Sequence, residues 1–328
     1  MSPQRLSIAM ITYNGARYVH EQLHSIASQS RLPDELIICD DGSNDGTTRI
    51  LEMFAMEAPF PVRLVFNEKN LGYVKNSERA IGFCTGDIIF LADQDDVWLP
   101  EKVAYAEKAF TRFPRAGIVF SNAEIVDQHL RPLGYDLWQK ADFNSSRQRR
   151  LTQGSAFEVL FKGNVVYGTT MAFRSSFKDL ILPIPSNWDA DEWIALLISS
   201  SASLAALNYR LVKYRQHSNN LAGVPEGTKT VKEQLAQVRQ PDRQVVYSSM
   251  AEQYALLRLR LLKALQYGCN PKRVKLVEDR YQHLRSRAEM DKGLLARVPK
   301  VLGELVTLRY HRFSGGWRAI IKDILFLT

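Results

Sequence analysis

Over the first 125 positions, short unbroken apolar runs alternate with longer stretches in which apolar residues recur every three or four positions. The runs "LSIAMITYN", "ELIICDDG", "VRLVFNE", "DIIFLADQDD" and "AGIVFSNAEIVD" predict strands buried on both faces. Between them, "ARYVHEQLHSIASQS" places Val19, Leu23, Ile26 and Ala27 on one helical face. "TTRILEMFAMEA", "GYVKNSERAIGFC" and "EKVAYAEKAFTRF" predict further helices. This alternation predicts an α/β fold with a mostly parallel sheet covered by helices on both faces. Ligands of such sheets bind beyond the carboxyl ends of the strands. Here those ends are polar: Thr12, Tyr13 and Asn14 after the first strand, Asp40 and Asp41 after the second, and Asp93, Asp95 and Asp96 after the fourth.

Residues 130 to 165 read as polar and irregular, with a basic "RQRR" at 147 to 150, and predict a loop-rich segment. "GNVVYGTTMAFR" returns to strand character, and "DADEWIALLISSS" reads as a helix with acidic residues in its first turn. "SLAALNYRLVKYRQH" predicts a strand pair or hairpin. Beyond 225 the pattern is helical, with Met250, Tyr254, Leu257, Leu261 and Leu265 as one apolar stripe flanked by Arg258, Arg260 and Lys263. Charge changes at the same place. Residues 226–328 carry 20 of the 43 Lys and Arg but only 10 of the 35 Asp and Glu. The shift predicts a boundary near 225 and a basic helical region over 226–328.

The remaining composition narrows the possibilities. At 328 residues, 45% hydrophobic and 24% charged, the chain has the balance of an ordinary soluble globular protein. No run approaches the roughly 18 apolar residues that a membrane-spanning helix needs, and the first 20 residues lack the zones of a secretory leader. Cys39, Cys84 and Cys269 are widely spaced and form no metal-binding or redox pattern. A cytoplasmic setting is the expectation. The chain contains neither G-x-G-x-x-G nor a Walker A sequence, which excludes a dinucleotide-dependent dehydrogenase and a P-loop NTPase. "TYNGARY" is not the glycine-rich, basic loop of a nucleotidyltransferase, and no nucleic-acid-reading module is present.

Carboxylates gathered at one strand end repel each other and lose solvation, so they remain ionised cheaply only around a cation or donors. An all-oxygen set favours Mg2+ or Mn2+, which keep positions open for substrate phosphates. Asp96 also suits capping of a helix that starts near Leu99.

"ITYNGARYVHEQLHSIASQS", "LIICDDGSNDGT", "NLGYVKNSERAI" and "IIFLADQDDVW" follow one another in an order and spacing that resembles family 2 of the inverting GT-A-fold glycosyltransferases. "GTTMAFR", "DEWIALL" and "VKYRQHSNNLAG" resemble later signatures of that family's bacterial rhamnosyltransferase-like members. The resemblance covers about residues 5 to 225. It implies a GT-A domain with a nucleotide-sugar-binding half at 1–125 and an acceptor-binding half at 126–225.

By that resemblance, Thr12, Tyr13 and Asn14 hold the nucleotide base and ribose, and Asp41 accepts from a pyrimidine imide N–H. Lys75 and Asn76 face the donor. Asp93 and Asp95 form the D-x-D pair, with Asp95 on the metal and Asp93 on the ribose or a metal-bound water. His217 completes the metal site, Arg215 meets the diphosphate, and Gly168 lets the backbone approach the donor sugar. Asp191 is the base, with Asp189 and Glu192 as rivals. Ser77 departs from the phenylalanine of rhamnosyltransferase-like members, and Ala190 and Glu192 depart from a histidine and an aromatic residue. The implied donor is dTDP-rhamnose, with UDP-hexose or UDP-N-acetylhexosamine as alternatives, and the implied acceptor is a lipid-linked carbohydrate. A non-catalytic binding or scaffold protein of the same fold is the competing reading. The basic C-terminal region suits either packing of helices or attraction to an anionic inner membrane surface.

Overall fold

A computed structural model describes residues 4–218, 243–290 and 294–325. The chain folds as two compact units, Met1–Glu226 and Gly227–Thr328. The boundary predicted near 225 and the Asn219–Gly223 end of the "YRQHSNNLAG" motif lie outside the described residues.

The first unit is built on one nine-stranded sheet. Its strands are β1 (Leu6–Thr12), β2 (Glu35–Asp40), β3 (Val62–Phe66), β4 (Ile88–Ala92), β5 (Val97–Trp98), β6 (Ala116–Val126), β7 (Pro132–Asp136), β8 (Met171–Arg174) and β9 (Ser203–Arg215). They lie in the order β3-β2-β1-β4-β8-β6-β9-β5, with β7 beside β6. The first four are mutually parallel, as the unbroken apolar runs predict. Strand β8 runs antiparallel to both β4 and β6, and β9 runs parallel to β6.

Two features of this order position the site. The chain starts in the middle: β1 pairs with β2 on one side and β4 on the other, so the carboxyl ends of all three open onto one crevice. Strand β5 comes immediately after the Asp93–Asp96 turn and pairs antiparallel with β9, Val97 opposite Lys213 and Trp98 opposite Val212. That pairing delivers the end of β9 to the carboxylates.

Helices α1 (Val19–Ala27), α2 (Thr47–Glu57), α3 (Tyr73–Phe83) and α4 (Lys102–Arg112) connect the parallel strands where the apolar periodicity places them. Leu6, Ile8 and Met10 of β1 share a core with Val19, Leu23 and Ile26 of α1 and with Leu51 of α2. Helix α4 is preceded by Glu101, so Asp96 does not cap it. Asp96 is instead buried in the sheet edge, where it accepts from the Arg215 amide at 2.9 Å.

Three expectations need correction. The segment 130–165 is not a loop. It holds β7 and helices α5 (Leu137–Lys140), α6 (Ser145–Arg150) and α7 (Ala156–Leu160), and it buries Leu137, Trp138, Phe143, Phe157 and Leu160. Each of these helices is too short for a periodicity to emerge, but two carry caps. Asp136 and Gln139 form a capping box, and Asn144 accepts from the Ser146 and Arg147 amides. The predicted hairpin over "SLAALNYRLVKYRQH" is one long strand, β9, whose exposed Asn208, Tyr209 and Arg210 resemble a turn only in composition. "GNVVYGTT" is mostly not strand, because β8 begins at Met171 after a 3-10 turn at Gly168–Thr170.

Helices α8 (Lys178–Ile181) and α9 (Ala190–Ser199) complete the first unit. Gly117 of β6 lies beneath α9, and a Cβ there would run into the Ile198 and Ala202 side chains.

The second unit is helical: α10 (Arg243–Ala264), α11 (Pro271–Ala288), α12 (Leu294–Val306), α13 (Arg309–Phe313) and α14 (Trp317–Leu325). The buried stripe of α10 is Ala251, Tyr254, Leu257, Leu261 and Ala264; Leu265 is exposed, contrary to its predicted place. Asn270 caps α11 by accepting from the Lys272 amide, with Pro271 at the first helical position. No helix among the described residues is long and apolar enough to cross a membrane.

The close approach at Gly117 generates a prediction. Gly117→Ala should destabilise the first unit by about 1–3 kcal/mol, the usual cost of overpacking, in urea denaturation. An unchanged midpoint would mean that α9 is not seated on β6.

Candidate active site

The polar ends of β1, β2 and β4 are held together by their own side chains. Thr12 and Asp40, opposite each other in the parallel register, bond through Thr12 Oγ1 to Asp40 Oδ2 at 2.7 Å. Asp40 also accepts from the Ser43 amide and hydroxyl. The Tyr13 amide donates to Gln94 Oε1 at 2.8 Å, and Gln94 Nε2 donates back to the Tyr13 carbonyl at 3.0 Å. This pair ties the end of β1 to the carboxylate turn after β4. Gly15 makes it possible, because a Cβ there would occupy the position of the Gln94 amide. Asn14 sits in the left-handed region at φ 47° and steadies the second turn through its Oδ1, which accepts from the Asn44 amide. Tyr13 is half exposed and Thr12 is buried.

Asp93 and Asp95 flank Gln94 on this turn. Burial, then the neighbouring Asp95 and Asp191 carboxylates, push the Asp93 carboxyl up to about 7. Asp95 Oδ2 lies 2.9 Å from His217 Nε2. Asp191, in the first turn of α9, is half-buried, and its oxygens accept from the Gly168 amide at 3.1 Å and the Glu192 amide at 2.6 Å. Burial pushes its carboxyl up to about 7 despite those two donors, with Asp189 and Glu192 adding to the rise. A narrow cleft is lined by Ile11, Tyr73, Ser77, Leu91, Asp93 and Gly168, among others. The structure therefore brings together Asp93, Asp95, His217, Gly168 and Asp191.

Four other expected site residues have different work here. Arg215 is 1% exposed, and its guanidinium is committed to the protein. Nε donates to the Asp95 carbonyl at 2.6 Å, Nη1 to the Gln128 carbonyl at 2.8 Å, and Nη2 pairs with Glu21. It is a brace under the carboxylate turn. Asp41, also buried, accepts from the Leu71 and Gly72 amides and from Asn67 Nδ2, each at 2.8 Å. It organises the 67–72 loop. Asn76 donates to the Cys39 carbonyl and accepts from Asn67, so it locks α3 to β2. Lys75 Nζ donates to Glu78 and to the Ile184 carbonyl, tying α3 to the segment before α9. Gly168 needs no left-handed backbone, and a Cβ there would meet only ordinary contacts; its contribution is its amide.

Sequence reasoning missed four aromatic residues. The Tyr18 ring stacks on His217 at 4.7 Å and lies 4.6 Å from the Arg215 guanidinium, so it joins metal-type and brace residues. Tyr73, Tyr167 and Tyr214 surround the carboxylates: burial and then Asp191 raise the pKa of Tyr73 and Tyr167, while burial and then Asp96 raise that of Tyr214. Their spacing along the chain gave no signal. Only "YRQH" and "ARYV", adjacent to residues already singled out, pointed their way.

Asp95 and His217 touch, and Asp93 has Asp95 as its neighbouring carboxylate. Among the described residues, no three His, Cys, Asp or Glu side chains converge on one point. One or two protein ligands completed by substrate phosphates is the habit of Mg2+.

A model of glycosyl transferase family 2 matches residues 7–179. An uncharacterized glycosyltransferase of Nostoc sp. is 25% identical over 222 residues, 66% of this chain and 66% of that protein, so the match spans just under two thirds of the relative's length. The putative teichuronic acid biosynthesis glycosyltransferase TuaG of Bacillus subtilis is 24% identical over 220 residues, 66% of this chain and 81% of TuaG. Among solved structures, S. aureus TarS 1–349 in complex with UDP-GlcNAc superposes with a TM-score of 0.58 at 16% identity, covering 94% of this chain and 84% of that one. At that identity the likeness speaks for the fold, a GT-A-like α/β sheet.

The brace generates a prediction. Arg215→Ala strips two part-buried carbonyls of a donor, at up to about 1–3 kcal/mol for each group left unsatisfied. Arg215→Lys should recover part of that loss. Urea denaturation checks it, and an Arg215→Ala protein as stable as the parent would show that the turn stands without its brace.

Proposed function

The chain belongs to glycosyl transferase family 2, and on that premise we propose that it transfers a sugar from a nucleotide diphosphate to a hydroxyl of a growing surface polysaccharide, inverting the anomeric carbon. The observation that carries the reading is that Asp93, which lines one cleft with Gly168, has Asp95 and Asp191 as neighbouring carboxylates, the latter bonded to the Gly168 amide. The name of TuaG supports a polysaccharide acceptor, and a lipid-linked carbohydrate is the form we propose. Residues 1–125 are the donor half, 126–225 the acceptor half and 226–328 a helical extension.

Asp191 is the general base. The Gly168 and Glu192 amides fix its two oxygens, and its raised proton affinity suits it to take a hydroxyl proton near neutral pH. The acceptor oxygen forms a bond to the anomeric carbon on the face opposite the diphosphate. The bond from that carbon to the phosphate oxygen breaks, the diphosphate leaves with the electron pair, and the hydroxyl proton passes to Asp191. The transition state is oxocarbenium-like. Asp95 and His217, with Asp93 beside them, would hold Mg2+ or Mn2+, and such an ion when bound offsets charge on the leaving diphosphate. Thr12, Tyr13 and Asn14 line the nucleotide end of the crevice. The resemblance of "DQDDVW" and "YRQHSNN" to rhamnosyltransferase-like members supports dTDP-rhamnose as donor.

Asp191→Asn should lower kcat by about 10²–10⁴-fold, the span of general-base catalysis, and leave the donor Kd unchanged. In the parent, kcat/KM should rise with pH towards about 7 and level above it, because the base works deprotonated. Loss of donor binding in Asp191→Asn would move the base assignment to Asp189 or Glu192.

Thermal shift with dTDP and UDP, each with and without Mn2+, tests the donor, since a ligand of the native state raises its apparent stability. A larger metal-dependent shift with dTDP supports the deoxysugar donor, and a larger one with UDP turns the reading to hexose or N-acetylhexosamine. In Asp95→Ala the effect of Mn2+ should vanish. A metal-independent shift in the parent would overturn the metal assignment.

A further inference from the structure

Helix α10 is apolar on two opposite sides. Its inner side, with Tyr254, Leu257, Leu261 and Ala264, is buried. Helix α11 lies against that side: the Arg280 guanidinium stands 4.7 Å from the Tyr254 ring, and Arg258 pairs with Glu278. On the outer side, Leu256 is 39% exposed, Leu259 56% and Leu262 43%. Three leucines within two turns form a patch, where a helix with one buried face would carry polar residues.

The charges beside this patch are placed as regularly as the leucines. Glu252, Leu256, Leu259 and Lys263 are all exposed and follow at spacings of four, three and four. That alternation puts them in one row along the helix, the spacing of a two-helix seam. Among the described residues, neither Glu252 nor Lys263 has an ion pair. The row is acidic at one end, basic at the other and apolar between. Turned end for end about the point midway between Leu257 and Arg258, it maps onto itself: Glu252 falls on Lys263, and Leu256 falls on Leu259.

A surface that is complementary to its own reverse fits a second copy of the same chain. Under a two-fold axis every contact is made twice, from i to j and from j to i. An antiparallel copy of α10 sets each Leu256 against Leu259 of the other helix, and each Glu252 against Lys263. A parallel copy would set glutamate on glutamate and lysine on lysine, which costs affinity. An anionic surface would meet Glu252 in the middle of its contact. We propose that the outer face of α10 is a two-fold interface through which this chain self-associates, with Leu256 and Leu259 at its centre and Glu252 and Lys263 fixing its antiparallel register. The seam spans about three helical turns, so the dimer belongs to the small, concentration-dependent class. The inference does not rest on the transferase reading.

Sedimentation equilibrium of the full chain over a wide range of concentration tests this, and a monomer–dimer equilibrium is expected. Leu256→Ala with Leu259→Ala should raise the dissociation constant by at least about a hundredfold, because the symmetry removes four leucines at once. Glu252→Lys and Lys263→Glu should each weaken the dimer by about tenfold or more, since each places two like-charge pairs in the seam. Mixing those two single variants should restore dimerisation, because every charge then faces its opposite; the double variant should restore it as well. All four side chains are exposed, and an unchanged thermal midpoint of the monomer reports that the variants fold. A monomer at every concentration would overturn the proposal, as would a dimer that the leucine variant retains. A mixture of the charge variants that stays monomeric would overturn the antiparallel register. A monomer that co-sediments with phospholipid vesicles, and loses this in the leucine variant, would give the face to a lipid surface instead. Sedimentation reads no sugar transfer, so failure here and failure of a transferase assay are distinct results.

Discussion

The guanidinium of Arg215 is the constraint on which the first unit depends. It is a permanent cation taken almost wholly out of water at the end of β9, and it is tolerable there only because each edge of its planar fork meets an oxygen. Two of those oxygens are carbonyls of Asp95 and Gln128; the third belongs to Glu21 on α1. Strand, turn and helix are thereby referred to one point. The two-residue pairing of β5 with β9 makes the meeting possible, because it reverses the chain directly after the carboxylates and aligns it with the strand that carries Arg215. His217, two residues on, is then held against Asp95 with Tyr18 across its face.

This bracing explains how the acidic cluster stays compact. Asp93, Asp96 and Asp191 each carry a raised proton affinity, for which burial is the first cause, so their ionised forms work against the fold. Backbone amides at Gly168, Glu192 and Arg215 return part of that loss. Lys102, buried over Trp98 at 3.5 Å, feels the same desolvation, which pushes its ammonium down to about 7, with Asp96 acting in the other direction. A site built this way is destabilised in its charged state and relieved by a bound cation or donor, which is the condition under which ligand binding reorganises proton occupancy.

The sequence disclosed those parts of the fold whose causes are local. Strands β1, β2 and β4 are unbroken apolar runs ending in polar residues, and no alternative period fits them, so both the sheet and the location of its ligand crevice followed. Asp93, Asp95 and Asp191 were visible for the same reason: acids beside an apolar strand or in a first helical turn stand out from their surroundings. Arg215, Asp41 and Asn76 were singled out as residues, but the internal pairing each makes was not legible. Motif position places a side chain near a site, but only long-range pairing, such as Asp41 with the 71–72 amides, decides whether its donors and acceptors are already spent. The segment 130–165 was opaque because its helices are four to six residues long, below the span over which periodicity declares itself, and only its caps spoke for them. Tyr73, Tyr167 and Tyr214 come from three distant stretches and converge only in space.

The second unit applies the same physics to a different end. Burying Glu304 and Asp323 is costly, and an ion pair in the interior seldom improves on apolar residues of the same volume. Stability alone therefore does not account for the arrangement. What it achieves is internal pairing: His283, Arg287, Arg309 and Tyr310 meet both carboxylates of 294–325, and Arg312 pairs with Asp279. Sequence composition shows an excess of Lys and Arg in the last third, but composition cannot say which charges are spent internally. Once the pairs are known, part of that basic excess is seen to be spent inside the unit, on Asp279, Glu304 and Asp323.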